Sequence, residues 1–204
     1  MTTPSHPHSI TAIRVGIPAG FGVCVLYPAL IFIDLPIPVA AALAAAWGPL
    51  LAVASIGLGR MLALHRDTYA TALAVRFNII AGALISAMLL VQIAVGETTH
   101  DSTPPELGAI WLGLDVAWDV YIGAGTALFA WAMWSHPRFG KVISGAGLAL
   151  ALALLVLNLA TFPTPPAEAG LVDLGPFVGL WYLVVTILIW RSLGWARSRA
   201  SVEG

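Results

Sequence analysis

Six long apolar runs divided by short polar connectors constrain this chain more than any other feature. The runs cover residues 11–33, 38–64, 69–95, 107–134, 141–162 and 174–195. Each is long enough for a bilayer-spanning helix, which needs about 20 apolar residues. The connectors carry helix breakers: Asp34-Leu35-Pro36-Ile37-Pro38, His65-Arg66-Asp67, residues 97–106 with Pro104-Pro105, His136-Pro137-Arg138, and Pro163-Thr164-Pro165-Pro166. Pro18, Pro28 and Pro49 fall inside the runs. Membrane helices tolerate proline where neighbouring groups satisfy the freed carbonyls, so these read as kinked helices. In 204 residues the six runs leave no room for a soluble domain. The expectation is one all-α transmembrane domain over residues 1–204, a polytopic bundle of six helices.

Composition narrows the function classes. Charged residues are 9% of the chain, against roughly 25% in a soluble domain. Hydrophobic residues are 59% and the mean hydropathy is +0.92. Such a chain cannot cover a water-facing surface, which excludes a soluble enzyme and a disordered protein. No basic stripe exists, which excludes a nucleic-acid binder. The single cysteine, Cys24, lies in an apolar run without a CxxC or Cys/His cluster, so neither a metal nor a redox cofactor is expected. The polar, His-rich start does not read as a cleavable signal peptide. Eight arginines to one lysine, with abundant Ala, Gly, Leu and Val, suggest a bacterial origin.

The placement of charge gives the expected orientation. Arg14 opens the first run; Arg60, Arg66 and Arg76 surround the second connector; Arg138 and Lys141 lie in the fourth; Arg191, Arg197 and Arg199 end the last run. The other three connectors hold no basic residue. The positive-inside rule then puts both termini and the two basic turns in the cytoplasm, in a bacterial inner membrane. Asp34, Glu97, Asp101, Glu106, Glu168 and Asp173 fall on the outer side, and only Asp67 and Glu203 on the inner. The outer acids are either ordinary loop solvation or a vestibule that attracts cations.

The sharpest chemical feature is the fourth run, Trp111-Leu112-Gly113-Leu114-Asp115-Val116-Ala117-Trp118-Asp119. Asp115 and Asp119 are four apart and share a helix face, with Trp111 one turn before and Trp118 adjoining. Asp119 lies roughly 18 Å from the outer end, near mid-membrane. An ionised carboxylate there costs at least about 2.5–3.5 kcal/mol, so Asp119 should be protonated, paired or facing a hydrated cavity. Three uses are open: structural hydrogen bonding between helices, a polar pocket, or an acid–base pair in which one Asp serves as general acid. Asn158 and Gln92 are candidate partners for Asp115. Arg76 is expected to snorkel to the interface. Trp47, Trp181 and Tyr182 are candidates for the pocket wall, although interface belts also collect such residues. The stiff segment Phe162–Pro176 is a connector or a lid, with Asp173 capping the last helix. Ala12, Gly16 and Gly20 allow close helix approach, within the bundle or toward a second copy.

The string Asp115–Gly125, the turn His136-Pro137-Arg138-Phe139-Gly140 and the segment Phe162–Pro176 with Trp181-Tyr182 resemble an uncharacterised group of small bacterial six-helix membrane proteins. The resemblance covers the C-terminal half; it implies fold and location and carries no assigned activity. The Asp115-xxx-Asp119 spacing is similar to one motif of intramembrane prenyltransferases, whose second Asp-rich motif is missing here. Leu112-Gly113-Leu114-Asp115 departs from the Gly-x-Gly-Asp string of intramembrane aspartyl proteases. Six helices with a small-residue first helix are also similar to substrate-binding subunits of vitamin importers, in architecture alone.

The expected function is a membrane protein with an outward-opening pocket of Asp115, Asp119, Trp111, Trp118, Trp47, Trp181, Tyr182 and Asn158, binding a small lipophilic or cationic molecule. One alternative is an intramembrane enzyme of prenyl-chain or terpene cyclase type, with Asp119 and Asp115 catalytic. The other is a structural subunit of a membrane complex. Expected partners are the lipid bilayer, that ligand, and a second copy through the Gly16/Gly20 face; nucleic acid is not one.

Overall fold

The computed structural model describes residues 6–98, 105–166 and 169–202, all of whose regular structure is helical. The helices are α1 (His6–Phe32), α2 (Ile37–Ala63), α3 (Tyr69–Thr98), α4 (Pro105–Met133), α5 (Gly140–Thr161), α6 (Gly175–Arg191) and α7 (Leu193–Val202). The acids Asp101, Glu168 and Glu203 lie outside the described residues. The first five helices are each long and apolar enough to cross a membrane. A sixth span exists where α6 and α7 count together.

In lipid a backbone has only its own ladder to bond to, so the apolar runs become helices nearly end to end. Prolines sit where that ladder tolerates them. Pro36 is the N-cap of α2 with Pro38 in its first turn, and Pro176 lies in the first turn of α6, where the missing N–H has no ladder partner to lose. Pro18, Pro28 and Pro49 are carried inside helices as expected. The α4–α5 turn needs Gly140, whose φ of +74° suits a residue without a side chain.

The last run does not form one helix. It breaks at Ser192, and the pieces α6 and α7 are bent by 55°. Arg197 and Arg199 belong to α7. The break is held by a tertiary bond: Arg138 Nε donates to Ser192 Oγ at 3.1 Å.

Each long helix packs against the next in sequence, and α6 also packs against α1, so the six close into a ring. Lipid supplies no hydrophobic drive for helices to associate, so small residues that allow intimate contact matter most. Gly16 of α1 meets Gly57 of α2, where an added Cβ would stand 2.8 Å from the Gly57 Cα. Gly20 lies against Thr186 of α6. The small-residue face of α1 is therefore used inside the bundle. Gly48 of α2 lies against the Gly82 carbonyl of α3. At the same level Ser86 Oγ accepts the Gly48 N–H (2.9 Å) and donates to the Ala44 carbonyl (2.8 Å). A hydroxyl from α3 is thus inserted into the α2 ladder one residue before Pro49.

The two ends of the ring differ. Toward the α2–α3 and α4–α5 turns the centre is filled, with Ile13, Met61, Phe129, Ala130 and Met133 fully buried. Trp131, Trp134, Trp190 and Tyr69 are exposed around this end. His136, 2% exposed, is enclosed by the rings of His65, Phe139 and Trp195 at 4.8–5.2 Å between centroids. It ties α7 to the α4–α5 turn.

Two outcomes follow from these contacts. Gly48→Ala forces a methyl into the Gly82 carbonyl and should cost about 1–3 kcal/mol, seen as a lower melting temperature in detergent. Gly96→Ala, with nothing within 4 Å of the new methyl, should melt as the wild type does.

The second concerns pH. Burial holds the His136 imidazole down to about 4 from its ordinary 6.5; the neighbouring His65 and Arg138 push the same way, and the Met61 carbonyl opposes them. Its Nδ1 accepts the Arg138 N–H, so the ring is held neutral. The unfolded chain then binds the extra proton between these two values. The stability owed to His136 is complete above about pH 6.5 and declines as pH falls to about 4. A melting-temperature titration should show this slope in the wild type and lose it in His136→Gln.

Candidate functional site

The opposite half of the ring is hollow. A cavity of about 700 Å³ lies among α1, α2, α3, α4 and α6, with Leu154 as the contribution of α5. Its floor is a polar node. Asn78 Nδ2 of α3 donates to Ser55 Oγ of α2 (3.1 Å) and to the Tyr182 hydroxyl of α6 (2.8 Å). Thr126 Oγ1 of α4 stands 3.0 Å from the same hydroxyl. Asn78, Ser55 and Thr126 are 0–2% exposed. A second void of about 20 Å³ lies on the other side of Tyr182, near Gly16, Ser55 and Thr186. That is room for about one water.

Asp119 and Asp115 form the α4 wall. Asp119 is the central residue of α4, fourteen positions from each end of Pro105–Met133. It is 8% exposed. Asp115 lies one turn nearer the connectors, about 6 Å along the axis. Both line the cavity, as do Trp111 and Trp118. Trp47 faces Trp118 across the space from α2, edge to face at 5.1 Å. Tyr182 completes the expected set at the floor. The fold thus brings together six of the eight residues singled out from sequence.

The other two are placed differently. Trp181 does not line the cavity: its indole lies against Gly147 of α5 and donates to the Ile143 carbonyl at 2.9 Å. It is buried in the α5–α6 contact, because one step along a helix turns a side chain by about 100° away from Tyr182. Asn158 stands behind the wall on α5 as a hydrogen-bond partner of Asp119, with its Nδ2 donating to the Leu154 carbonyl at 3.0 Å. Of the remaining candidates, Gln92 lines the cavity and Arg76 is exposed on the outside of α3.

Sequence reasoning missed the α1 wall. Cys24, Tyr27, Pro28 and Ile31 all line the cavity. Their spacing of three, one and three puts them on one helical face, and that periodicity was the available signal. Asp173 was read as a cap. Its Oδ1 does accept the Gly175 N–H at 2.8 Å, one residue upstream of the Leu174 N-cap, but Asp173 also lines the cavity with Pro165, Pro166 and Pro176. The Phe162–Pro176 segment, apart from residues 167 and 168, which lie outside the described residues, therefore borders the cavity at its connector end.

The electrostatics are one-sided. Asp115, Asp119 and Asp173 are near enough to act on one another and on the Tyr27 phenol. No Arg, Lys or His is among the described residues lining the cavity. The Trp47 indole N–H is buried without an acceptor among the described residues. Among the described residues no three His, Cys, Asp or Glu side chains converge as a metal site would require. Chemically, the arrangement offers carboxylates to a cation, aromatic faces to the same cation, and apolar walls to the rest of a molecule. No protein-family model, no curated protein and no solved structure matches this chain.

Proposed function

We propose that this is a six-span protein of a bacterial cytoplasmic membrane whose cavity binds a small lipophilic cation from the outer side. The observation that carries the reading is the cavity itself: about 700 Å³, with three carboxyl groups, three tryptophans and no basic side chain among its described lining residues. Ligand pockets are typically about 300–1,000 Å³, mostly apolar with a few placed polar groups. A cation over an aromatic face gains about 0.5–2 kcal/mol, and more of it where water is excluded. A carboxylate at 4 Å adds about 4 kcal/mol at an effective dielectric of 20, before desolvation is subtracted. Charge therefore selects the ligand, and burial of its apolar part supplies much of the affinity.

The orientation rests on the two ends of the ring. Basic residues gather at the α2–α3 and α4–α5 turns and at α7, and exposed tryptophans surround the same end. The basic residues support a cytoplasmic placement for that end and an outer placement for the cavity mouth, and the tryptophans fit a membrane interface at that level. With α6 and α7 counted as one span, the reading has both ends of the bundle inside.

Benzyltrimethylammonium is a suitable probe, since it joins a fixed charge to an apolar ring. Equilibrium dialysis should show saturable binding. Asp115→Asn should weaken it by about tenfold or more, equivalent to about 1.4 kcal/mol, and Asp119→Asn by less. Unchanged affinity in both variants overturns the binding reading. Turnover of a polyene substrate that Asp119→Asn abolishes while binding persists replaces it with the cyclase alternative.

Topology is checked separately. Reporter fusions at Asp34 and Asp173 should read as outside, and those at Arg66 and Arg138 as inside. A cytoplasmic signal from Asp34 overturns the orientation.

A further inference from the structure

Along the seam between α1 and α6, several side chains that line the cavity are also exposed. In the filled half this seam is shut, with Gly20 against Thr186. One turn higher Cys24 Sγ still reaches the Gly179 carbonyl at 3.6 Å. At about that level and toward the connectors, side chains that line the cavity are also exposed. Pro28 and Ile31 of α1 are among them, as are Pro176 and Leu180 of α6. Ile31 and Leu180 are 54% and 57% exposed. Side chains that belong at once to the wall and to the outer surface mark a gap. Gly179, whose carbonyl meets Cys24 at the edge of this stretch, has nothing within 4 Å of where its side chain would begin.

The surface around the gap is apolar. Val25, Phe32 and Phe177 are exposed beside it. Two of the three carboxyl groups, Asp115 and Asp119, lie on α4 across the cavity, and Asp119 is at the middle of its helix; the third, Asp173, lies at the connector end. A molecule filling both regions needs a charged head and a hydrocarbon tail. Trp47, whose ring lines the cavity beside Trp118, offers an aromatic face to such a head.

We propose that the cavity takes a single-chain ammonium amphiphile from the bilayer. Its head sits at Asp115 and Asp119 among Trp47 and Trp118, and its chain leaves between α1 and α6. The proposal rests on the cation-binding reading and adds to it the tail and the lateral route. Gly179 keeps that route open; the carboxylates select the head.

The chain's single thiol supplies the test, because Cys24 lines the cavity. Alkylation of Cys24 by N-ethylmaleimide is followed by intact mass in a non-ionic detergent. Dodecyltrimethylammonium should slow it by about tenfold, as a site mostly occupied by ligand requires. Tetramethylammonium and dodecanol at the same concentration should slow it by less than about twofold. Asp115→Asn should remove most of the protection. Gly179→Phe places a ring in open space, so it should abolish the rise in melting temperature caused by dodecyltrimethylammonium and keep the one caused by benzyltrimethylammonium. The comparison of probes on the unaltered protein decides the matter should Gly179→Phe fail to fold. Equal protection by tetramethylammonium overturns the tail and its route and leaves the cation site standing. Equal protection by dodecanol, or none by any probe, overturns both readings.

Discussion

The hydroxyl of Tyr182 crosses from α6 to the middle of the ring and meets there the side chains of α3 and α4, with α2 joined through Asn78. Four of the six ring helices are tied at this point. In a membrane interior a hydrogen bond between helices is worth only about 0.6 kcal/mol on average, so no single bond holds the bundle. What the node fixes is where the helices converge. On one side of it the centre is filled by Phe129, Met61 and Met133; on the other the walls stand apart around a cavity.

That division fits the distribution of small residues. The α1–α2 and α2–α3 contacts are built on glycine against glycine, at Gly16–Gly57 and Gly48–Gly82, and leave no room for adjustment. The α1–α6 contact relies on Gly20 against Thr186 and then on the longer reach from Cys24 to Gly179. The ring is thus packed most closely through its first helices and more loosely where α6 joins its two neighbours, α1 and α5. Ser86, threaded into the α2 ladder, belongs to the closely packed part and sets the level of the neighbouring Trp47, so the aromatic wall stands on the closely packed side of the cavity.

Much of this was legible in the sequence because it follows from periodicity and from the cost of unsatisfied backbone. The apolar runs, the tolerated prolines and the shared face of Asp115 and Asp119 need no knowledge of partners. The early start of α1 at His6 and the break at Ser192 were not legible, since the first lies in a polar stretch and the second depends on Arg138 from another turn. The same reason separates Tyr182 from Trp181. Both are aromatic, adjacent and apolar in context, and only the rotational setting of α6 against α5 decides which faces the cavity. Ser55, Asn78 and Thr126 were invisible as a group, because each is an unremarkable polar residue alone on its own helix.

The floor made by Tyr182 has a kinetic consequence. A vessel open at one half and stoppered at the other is a dead end. Whatever enters must leave by the way it came, and its occupancy equilibrates with the neighbouring leaflet and aqueous phase alone. Passage to the far side would require the phenol to swing away from the amide of Asn78 and the hydroxyl of Thr126, toward a half whose centre is filled by Phe129, Met61 and Met133. On the proposed reading, a site of this shape samples one membrane face alone.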